Sequence, residues 1–340
     1  MRIALVVNDA AELVPTMTTA MLAHAVLRRG HELCVVDVLA LELAGAVVAR
    51  ARVCPAGGCD DEIDAALARI ARASVARVEL DRVDAVLLRT NPARDPRRAW
   101  AHAALMDLAR VLRDRGVVVQ NDPDGLARTA SKLSLARLPP RLVPPTAATR
   151  DPEVVRAWAR RCGRCVIKPA RGTRGHDVYL IDGPDDPTIA DATSAAGRDG
   201  LVLVQPYLLA AAAGDVRVVV LDGALLEVDG HLAAIRRVPA PGEFRSNLHQ
   251  GGRPAPAGEL SAVVRAGSIE VAGILAREGI ALAGLDWIGD HLIEANVHST
   301  GGLHAAVAFT GADFPGAVIA ALERRVEAAR AGHPATGNPG

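Results

Sequence analysis

The chain is poor in aromatic residues, which make up only 2% of its 340 positions. Because 50% of the residues are apolar, the core must be filled mainly by alanine, valine and leucine. The formal net charge is +0, so the chain lacks the basic excess that attracts nucleic acid or an anionic membrane surface. These absences favour a globular protein that acts on small molecules, with neither nucleic acid nor a membrane as partner.

Long apolar runs are missing as well. No stretch approaches the roughly 18 residues that a membrane-spanning helix needs. The N-terminal segment 1–8 is typical of a core strand and has no signal-peptide cleavage site. Five cysteines in a chain of this length do not suggest a disulfide framework. We therefore expect a cytoplasmic protein of mixed α/β type.

Lysine is almost absent. Of 39 basic residues only Lys132 and Lys168 are lysines, which leaves 37 arginines (39 − 2). A lysine ammonium binds phosphate as a compact point charge, whereas a guanidinium binds it as a planar fork. A lysine that is kept where arginine serves elsewhere is therefore a candidate phosphate ligand. A general bias toward arginine would also leave two lysines by chance.

The pattern of strands, helices and turns divides the chain into three units and a tail. Residues 1–121 alternate strand and helix signals, which predicts a doubly wound, parallel α/β domain. Residues 122–200 form a second unit, and residues 201–330 form a third that is rich in antiparallel strand signals. Residues 331–340 are predicted to be a disordered tail. The fold class is thus α/β in the first unit and α+β in the others.

Within these units some elements carry the candidate site residues. A helix is predicted over 124–138, and it includes Lys132. Glycine and proline predict a long loop over 239–258. Strands over 282–288 and 291–297 are predicted to form a closing hairpin.

The first candidate site follows the strand 165–169. This strand carries Lys168 near its end, and a loop that contains Gly172 and Gly175 comes next. Glycines let backbone N–H groups approach an anion closely, and the lysine adds a point charge. The loop is not a P-loop, and two glycines in a loop are ordinary by themselves.

The second candidate site lies on the closing hairpin. Glu294 and Asn296 are two positions apart on one strand, so their side chains share a face. Asp286 lies on the preceding strand and can reach the same point. Carboxylate and amide oxygens suit Mg²⁺, which takes phosphate oxygens and water as its remaining ligands. A solvated hairpin face would show the same residues.

Two further groups place cations near this point. Asp215 and Arg217 share a face of one strand, and Arg237 precedes a loop that contains Arg245 and Asn247. Cations beside a phosphate and a metal ion are typical of phosphoryl transfer.

In this order the motifs resemble the ATP-grasp superfamily and, within it, prokaryotic glutathione synthetases. The resemblance covers roughly residues 1–325. The stretches that carry it are the first strand Arg2–Asn8, the helix Thr18–Gly30, Leu88–Pro92, Asn121–Pro123, Ser131–Leu133, Ile167–Pro169, Gly172–Gly175, Val204–Leu208, Asp215 with Arg217, Arg237–Pro239, Gly242–Asn247, Gly251–Arg253, and the hairpin with Asp286, Glu294 and Asn296. Each stretch is a weak signal, but their colinear order is specific.

The resemblance implies an N-terminal α/β domain, a mobile ATP lid over 122–200 and a C-terminal catalytic domain over 201–330. It also implies ATP and Mg²⁺, or Mn²⁺, as cofactors. The implied ATP-binding residues are Lys132, Lys168, Gly172, Gly175, Gln205, Tyr207, Leu208 and Asp215, with Asp215 on the ribose. The implied metal ligands are Asp286, Glu294 and Asn296. The implied catalytic residues beside an acyl phosphate are Arg217, Arg237 and Asn247, and the implied substrate-binding residues are Arg89, Arg245, Ser299, Thr300 and Gly301.

One stretch departs from the family. Where glutathione synthetases typically carry T-S-P-T-G and then an Arg-Glu pair, this chain has His298, lacks the proline and continues to His304. The departing stretch lies where the substrate is expected to bind. We therefore expect the ATP chemistry to be retained, whereas the identity of the substrates is left open. The two histidines either shape a different acceptor pocket or are loop residues without a role.

The resemblance implies a ligase that joins γ-glutamylcysteine to glycine. The alternative is an ATP-grasp ligase with another acid and amine, either in secondary metabolism or in peptide modification of the RimK type. A nucleotide-binding regulator without catalysis is the third reading. The resemblance also implies a homo-oligomer, a dimer or tetramer. Cys162 and Cys165 form a C-x-x-C pair that we expect to be packing residues, since a zinc site needs four ligands.

Overall fold

A computed structural model describes residues 1–57, 62–173, 175–198, 200–247 and 250–332. Most of the predicted tail, residues 333–340, lies outside the described residues, as does Arg174 of the glycine loop. Residues 331 and 332 are described, and they close the last helix instead of belonging to a disordered tail.

The elements occur along the chain in the following order. The strands are β1 Arg2–Val7, β2 Glu32–Ala44, β3 Ala46–Cys54, β4 Val75–Glu79, β5 Ala85–Leu88, β6 Val118–Gln120, β7 Ala147–Thr149, β8 Cys165–Pro169, β9 Tyr179–Ile181, β10 Val202–Pro206, β11 Asp215–Leu221, β12 Ala224–Leu225, β13 Glu227–Val228, β14 His231–Leu232, β15 Ala234–Val238, β16 Arg253–Pro256, β17 Leu282–Ile288 and β18 His291–Asn296. The helices are α1 Thr18–Arg28, α2 Ile63–Arg72, α3 Ala99–Asp114, α4 Pro123–Thr129, α5 Pro152–Cys162, α6 Ile189–Ala196, α7 Ala262–Arg277, α8 Leu303–Thr310 and α9 Phe314–Gly332.

The N-terminal sheet has the strand order β4-β3-β2-β1-β5-β6. Strands β2, β1, β5 and β6 run parallel to one another, as the alternating pattern predicts. Strands β3 and β4 add to one edge in antiparallel fashion, so the sheet is mixed where the sequence predicts a parallel one. The difference arises because β2 turns directly into β3 through Gly45, which has a φ of 76°, and a tight turn can only join antiparallel strands.

The lid is an antiparallel sheet in the order β7-β10-β8-β9, covered by α5 and α6. Its core contains Val155, Ile167, Ile181, Ile189 and Val204, all fully buried. Strand β10 hydrogen-bonds to both β7 and β8. A lid that ended at residue 200 would exclude this strand, so we place the end of the lid at Pro206.

The catalytic domain is built on an antiparallel sheet in the order β16-β15-β11-β17-β18. Strand β12 pairs with β11 through the turn at Asp222 and Gly223. Strands β17 and β18 form the predicted closing hairpin. Trp287 on β17 is 1% exposed and belongs to a core in which most other side chains are aliphatic.

Two predicted elements are wrong. The predicted helix over 124–138 ends at Thr129, and Lys132 begins a separate 3-10 turn. The helix stops because the hydroxyl of Ser131 accepts from the backbone of Leu133, while the N–H of Lys132 donates to the carbonyl of Ala170. Serine competes in this way with helical hydrogen bonds.

The predicted loop over 239–258 contains strand β16. This strand contains Pro254 and Pro256, which are unfavourable in a strand because proline has no N–H to donate to the hydrogen-bond ladder of a sheet. Strand β16 lies at the edge of the sheet, where a missing N–H is tolerated.

Among the described residues, no single helix combines the length and apolar composition needed to cross a membrane. Helices α8 and α9 pass that test only together, as a pair bent by 119°.

Candidate active site

A narrow cleft lies between the lid and the catalytic sheet. The residues predicted to bind ATP all line it: Lys132, Lys168, Gly172, Gly175, Gln205, Tyr207, Leu208 and Asp215. Apolar side chains of Val166, Ile288 and Ile293 line it as well and offer flat surfaces for a base. The cavity measures about 130 Å³, below the roughly 300–1,000 Å³ of typical ligand pockets. We therefore expect the lid to move outward when a whole nucleotide enters.

Both lysines point into this cleft. The ammonium of Lys132 lies 3.2 Å from Glu294 Oε1 and donates to the carbonyl of Gly172 at 3.0 Å. Lys168 Nζ donates to the carbonyl of Ile293 at 3.2 Å. Burial, followed by the nearby charge of Lys132, lowers the pKa of Lys168 to about 8. The two ammonium groups lie in the same cleft, and the carboxylates there do not fully neutralise their charge. The cleft therefore suits an anionic ligand.

The expected adenine edge lies on the segment after β10. The N–H of Tyr207 donates to the carbonyl of Arg164 at 3.0 Å, and the Arg164 guanidinium stacks over the Tyr207 ring at 4.8 Å. Gln205 donates to the hydroxyl of Thr146 at 2.8 Å. These contacts hold the segment rigidly against β8.

An alternating chain of acids and guanidinium groups crosses the floor of the cleft. Strand register creates it, because Arg217 faces Asp286 across β11 and β17, and Asp215 faces Arg237 across β11 and β15. Arg217 binds Asp286 with two bonds of 2.7 Å, and Arg237 binds Asp215 with bonds of 2.7 and 2.8 Å. Arg237 also reaches Asp286 at 2.8 Å.

This chain fixes the charge states at the floor. Burial alone raises the pKa of Asp286, but Arg217 and Arg237 outweigh it and lower the pKa to about 2. Asp215 also accepts from Ser246, so both of its oxygens are engaged within the protein. Asp215 orients Arg237, and its Oδ1 carries one bond and keeps a lone pair, so the ribose contact stays a prediction.

The predicted metal ligands fit a divalent cation. Asp286 and Glu294 are direct cross-strand neighbours, and Asn296 follows two positions later on β18. Asn296 donates its amide to Asp286 Oδ2 at 3.1 Å, which leaves its carbonyl oxygen free for a cation. Asp286 Oδ1 carries one bond, from Arg217, and keeps a lone pair. These oxygens would supply two or three ligands, and Mg²⁺ would need phosphate oxygens and water for the rest.

Arg245 occupies a different place from the one predicted. It was expected among the substrate-binding residues, but it lines the nucleotide cleft with Asn247. Glu243 binds its guanidinium at 2.7 Å, and Arg245 donates to the carbonyl of Gly175 at 3.2 Å. It thus ties the 240s loop to the glycine loop of the lid. Gly175 has a φ of 72°, and a Cβ there would lie 2.5 Å from the Asn247 side chain, so only glycine fits.

A second cavity, of about 580 Å³, adjoins the cleft and has Arg237, Asn247 and Glu294 in common with it. The remaining predicted substrate residues line this cavity, namely Arg89, Ser299, Thr300 and Gly301. Arg217 and Asn296 line it as well. The predicted catalytic and metal-binding residues therefore lie at the boundary between the two cavities, where a phosphoryl group could pass from one ligand to the other.

Arg89 is the most unusual cation of this second cavity. It is 5% exposed, and among the described residues it has no carboxylate partner. Its guanidinium donates to the carbonyl of Thr300 at 2.8 Å and to the hydroxyl of Thr19 at 3.3 Å. Burial lowers the pKa of Arg89 to about 10, so it stays charged at neutral pH. Because a buried charge is costly without a partner, Arg89 is a candidate for binding an anionic group such as a substrate carboxylate.

A third cavity, of about 620 Å³, lies on the other side of Ser299. It is lined by His298, by the lid residues Arg171 and Thr173, and by five residues before or at the start of α3: Asn91, Pro92, Ala93, Pro96 and Ala99. Burial lowers the pKa of His298 to about 4, so the ring is neutral at physiological pH. His304 lines the second cavity instead, so the two histidines of the departing stretch face different cavities.

Sequence reasoning missed several residues of the site. Ser246 binds Asp215, Thr19 binds Arg89, and the side chain of Asn8 bonds with the backbone of Asn91 in both directions at the mouth of the second cavity. Asn8, Thr19 and Ser246 all lie within stretches that resemble the family, but the sequence does not reveal which residues they bind. Cys165 is buried, as the packing interpretation predicts, and burial raises its pKa to about 11. Cys162 is a free thiol at the exposed end of α5, so the expectation that it packs is wrong.

Comparison with known proteins agrees with this geometry. The family model described as prokaryotic glutathione synthetase, ATP-grasp domain, matches residues 131–311. The model for the prokaryotic glutathione synthetase N-terminal domain matches residues 1–127. The glutathione synthetase of Vibrio cholerae is 31% identical over 74% of this chain and 76% of its own length. That of Xanthomonas axonopodis pv. citri is 34% identical over 70% of this chain and 72% of its own.

Solved structures show the same fold. The ATP-grasp ligase PsnB in complex with a minimal precursor has a TM-score of 0.61 and 21% identity, and the alignment covers 96% of this chain and 99% of that one. The D-cycloserine synthetase DcsG has a TM-score of 0.63 and 16% identity, with 95% and 99% covered.

The fold and the site thus define an ATP-grasp enzyme, an ATP-dependent ligase that forms carbon–nitrogen bonds and uses a divalent metal. The chain belongs to the prokaryotic glutathione synthetase family.

Proposed function

We propose that this enzyme joins γ-glutamylcysteine to glycine at the expense of ATP and releases glutathione, ADP and phosphate. The observation that carries this proposal is the buried, unpaired Arg89 in a cavity that meets the nucleotide cleft at Arg237, Asn247 and Glu294. A carboxylate bound there would lie next to the phosphate-binding cations, as the activation of an acid requires.

The proposed chemistry assigns a role to each group of residues. ATP supplies the phosphoryl group that activates the acid, and Lys132 and Lys168 would hold its phosphates. Asp286, Glu294 and Asn296 would hold Mg²⁺, which neutralises phosphate charge. Arg217 and Arg237 face the same point and would stabilise the negative charge that develops on the transferred group. The amine would then displace phosphate from the activated carboxyl carbon to form the amide.

Further assignments stay proposals. We propose Mg²⁺ over Mn²⁺, since the candidate ligands are oxygen atoms only, as Mg²⁺ prefers. The even charge balance supports small-molecule substrates over nucleic acid. A homo-oligomer and a cytoplasmic location follow from the family resemblance alone.

A second candidate has the same mechanism with a different acid or amine. The observation that favours it is the stretch from His298 to Gly302, which lines both substrate-side cavities and differs from the typical T-S-P-T-G.

The test is phosphate release from ATP and Mg²⁺, with γ-glutamylcysteine and glycine added singly and together. We expect release only with both, and glutathione as the product. Turnover that is absent with this pair but present with other amino acids or peptides would favour the second candidate. ATP binding without turnover for any acid and amine would favour a regulator.

A further inference from the structure

The third cavity meets both of the other cavities at the candidate active site. Glu294 and Thr173 line all three cavities. The third cavity also has Lys132 and Gly172 in common with the nucleotide cleft, and Asn296 in common with the second cavity. A ligase that joins an acid to an amine binds three substrates, and the cleft and the second cavity account for ATP and the acid. The third cavity therefore lies where an amine could reach the activated carboxyl group.

Lys132 connects the wall of the third cavity to the phosphate site. Its ammonium lies 3.2 Å from Glu294 Oε1 and donates to the carbonyl of Gly172 at 3.0 Å. Its backbone N–H donates to the carbonyl of Ala170 at 2.9 Å. Arg171, which lines the third cavity, lies between these two acceptors in the chain. The backbone of Arg171 is thus held on both sides by a residue of the candidate active site.

Arg171 offers this cavity a cation without a partner. Its side chain is exposed, and among the described residues its guanidinium has no carboxylate partner and no hydrogen bond. Burial, followed by the charges of His102 and Arg171, lowers the pKa of His298, so the guanidinium lies near another residue of the cavity lining. A guanidinium binds a carboxylate with two parallel hydrogen bonds. An amino acid carries such a carboxylate next to its amine.

The charge balance of the lining also favours an anionic group. Apart from histidines, the charged residues are three cations, Lys132, Arg171 and Arg198, and two carboxylates, Asp177 and Glu294. Lys132 and Glu294 form an ion pair with each other. The two arginines are thus left with a single carboxylate, Asp177, on the described wall of the cavity.

The third cavity is larger than glycine requires. It measures about 620 Å³, within the roughly 300–1,000 Å³ of pockets that hold drug-sized ligands. Because glycine has no side chain, it would leave most of this volume to water. An amino acid with a larger side chain would fill the cavity better.

Apolar residues form part of the wall, namely Pro92, Ala93, Pro96, Ala99, Leu133 and Leu201. Leu133 follows Lys132 in the chain, and the carbonyl of Leu201 accepts from the N–H of Ala170 at 2.9 Å. Both leucines therefore lie close to the backbone of Arg171. They are 38% and 40% exposed, so an apolar side chain that packs against them would bury apolar surface.

We propose that the third cavity binds the amine substrate, with the carboxylate of the amine on Arg171, and that it accepts amino acids with an apolar side chain besides glycine. The enzyme then joins γ-glutamylcysteine to an amino acid such as L-leucine as a further activity. This inference rests on the proposed function, because the ATP and acid sites are the same.

The bond-forming step is the same as with glycine. The amino nitrogen attacks the carboxyl carbon of the acyl phosphate, and a carbon–nitrogen bond forms. The bond from this carbon to the phosphate oxygen breaks, and phosphate leaves with the electron pair. The nitrogen starts as an ammonium and releases two protons to water. One ATP is converted to ADP and phosphate for each amide formed.

The test supplies ATP, Mg²⁺ and γ-glutamylcysteine with one amine at a time: glycine, L-leucine or L-leucinamide. The product is identified by mass spectrometry, and kcat/KM for each amine is measured by phosphate release. We expect an amide product with L-leucine as well as with glycine. L-leucinamide lacks the carboxylate that Arg171 binds, so its kcat/KM should be about tenfold lower than that of L-leucine.

Two variants separate the two parts of the amine site. Arg171→Met should lower kcat/KM for L-leucine about tenfold and abolish the difference between L-leucine and L-leucinamide. Leu201→Asp places a charge where the ligand side chain packs, so kcat/KM should fall about tenfold more for L-leucine than for glycine. The matched controls are Arg160→Met on α5 and Leu43→Asp on β2, since both residues are exposed and line none of the three cavities.

The outcomes distinguish this inference from the proposed function. Product with glycine and none with L-leucine would overturn the inference and leave the proposed function standing. Equal kcat/KM for L-leucine and L-leucinamide in the wild type would overturn the role of Arg171. If γ-glutamylcysteine supports no turnover with any amine, the proposed function fails, and binding of radiolabelled L-leucine in the presence of ADP and Mg²⁺ decides the inference. Binding that Arg171→Met weakens would support the amine site, and absence of binding would overturn it.

Discussion

The buried charged side chains of the nucleotide cleft and of the second cavity differ in their partners. In the cleft most charged groups have a partner of opposite charge: Arg217 and Arg237 share Asp286, Arg237 also holds Asp215, and Lys132 meets Glu294. Lys168 is the exception, since it donates only to the carbonyl of Ile293. In the second cavity Arg89 is equally buried but contacts only carbonyl and hydroxyl oxygens.

The difference indicates which ligand each region depends on. Because most charged side chains of the cleft are paired with one another, they are held in position before ATP binds. In the second cavity the substrate would supply the counter-charge for Arg89. The ordering of this cavity and its affinity for the acid substrate should therefore depend far more on which acid binds. This agrees with the sequence, which follows the family in the cleft and departs from it beside Arg89.

The largest effect should come from breaking the cleft at its metal site. Glu294→Gln removes a candidate metal ligand and the partner of Lys132, so we expect ATP turnover to fall by at least about 100-fold. The measurement is phosphate release under saturating substrates. Asp290→Asn, in the exposed turn of the same hairpin, is the control and should be nearly silent. Unchanged turnover in Glu294→Gln would refute the metal assignment.

The next effect should come from removing the unpaired cation. Arg89→Met should raise KM for the acid by about 10- to 100-fold, since a hydrogen bond to a charged group contributes about 1.5–3 kcal/mol. KM for ATP should not change. The melting temperature should not fall, because an uncompensated buried charge is itself costly.

The control for this pair of measurements is Arg82→Met, which removes an exposed arginine paired with Glu79. A loss of stability in Arg89→Met larger than in this control would indicate that Arg89 is structural and not a substrate receptor.

A smaller effect should appear in the pH dependence of the cleft. The pKa of Lys168 is lowered to about 8, chiefly by burial. Lys168 is therefore charged below pH 8 and loses its proton above it, so KM for ATP should rise as the pH is raised from 7 to 9. Lys168→Arg should flatten this profile, because arginine stays charged throughout. If KM for ATP rises equally in the wild type and in Lys168→Arg, the group that titrates is not Lys168.

The smallest effect should lie outside both regions, at Glu323 on α9. Arg29 binds its carboxylate at 2.5 and 2.8 Å and His31 at 2.6 Å, and these bonds lower the pKa of Glu323 to about 2 against the opposing effect of burial. Glu323→Gln should lower the free energy of unfolding at pH 7 by about 1 kcal/mol.

The sign of its pH dependence follows from the lowered pKa. The contribution of Glu323 is fully present above the pKa of the unfolded chain, near 4.3, and is lost as the pH falls toward 2. The stability difference between wild type and Glu323→Gln should therefore shrink below pH 4, as measured by denaturant unfolding. A difference that is constant with pH would show that the ion pairs contribute nothing.

Local patterns of the sequence led to part of the nucleotide cleft, and the family resemblance led to the rest. The alternation of side chains along a strand placed Glu294 and Asn296 on one face, and the strand ending in Lys168 led directly into the glycine loop. The structure brings all eight predicted ATP-binding residues to one cleft. The family resemblance supplied their roles, which spacing alone does not reveal.

The errors share a cause. The helix predicted through Lys132 ends early because its backbone bonds to Ala170, and strand β16 tolerates two prolines because it lies at a sheet edge. Arg245 joins the cleft through Gly175 of the lid. In each case the deciding contact comes from a distant part of the chain.

The sequence by itself determined the fold family and led to the candidate phosphate-binding lysines and the candidate metal ligands, because these depend on short-range periodicity and on motifs in a specific order. Only the tertiary structure decided that Arg89 is buried and that, among the described residues, it has no counter-ion. Burial and the absence of a partner are properties of the packed surroundings, to which segments far apart in the chain contribute. No local pattern of residues records them.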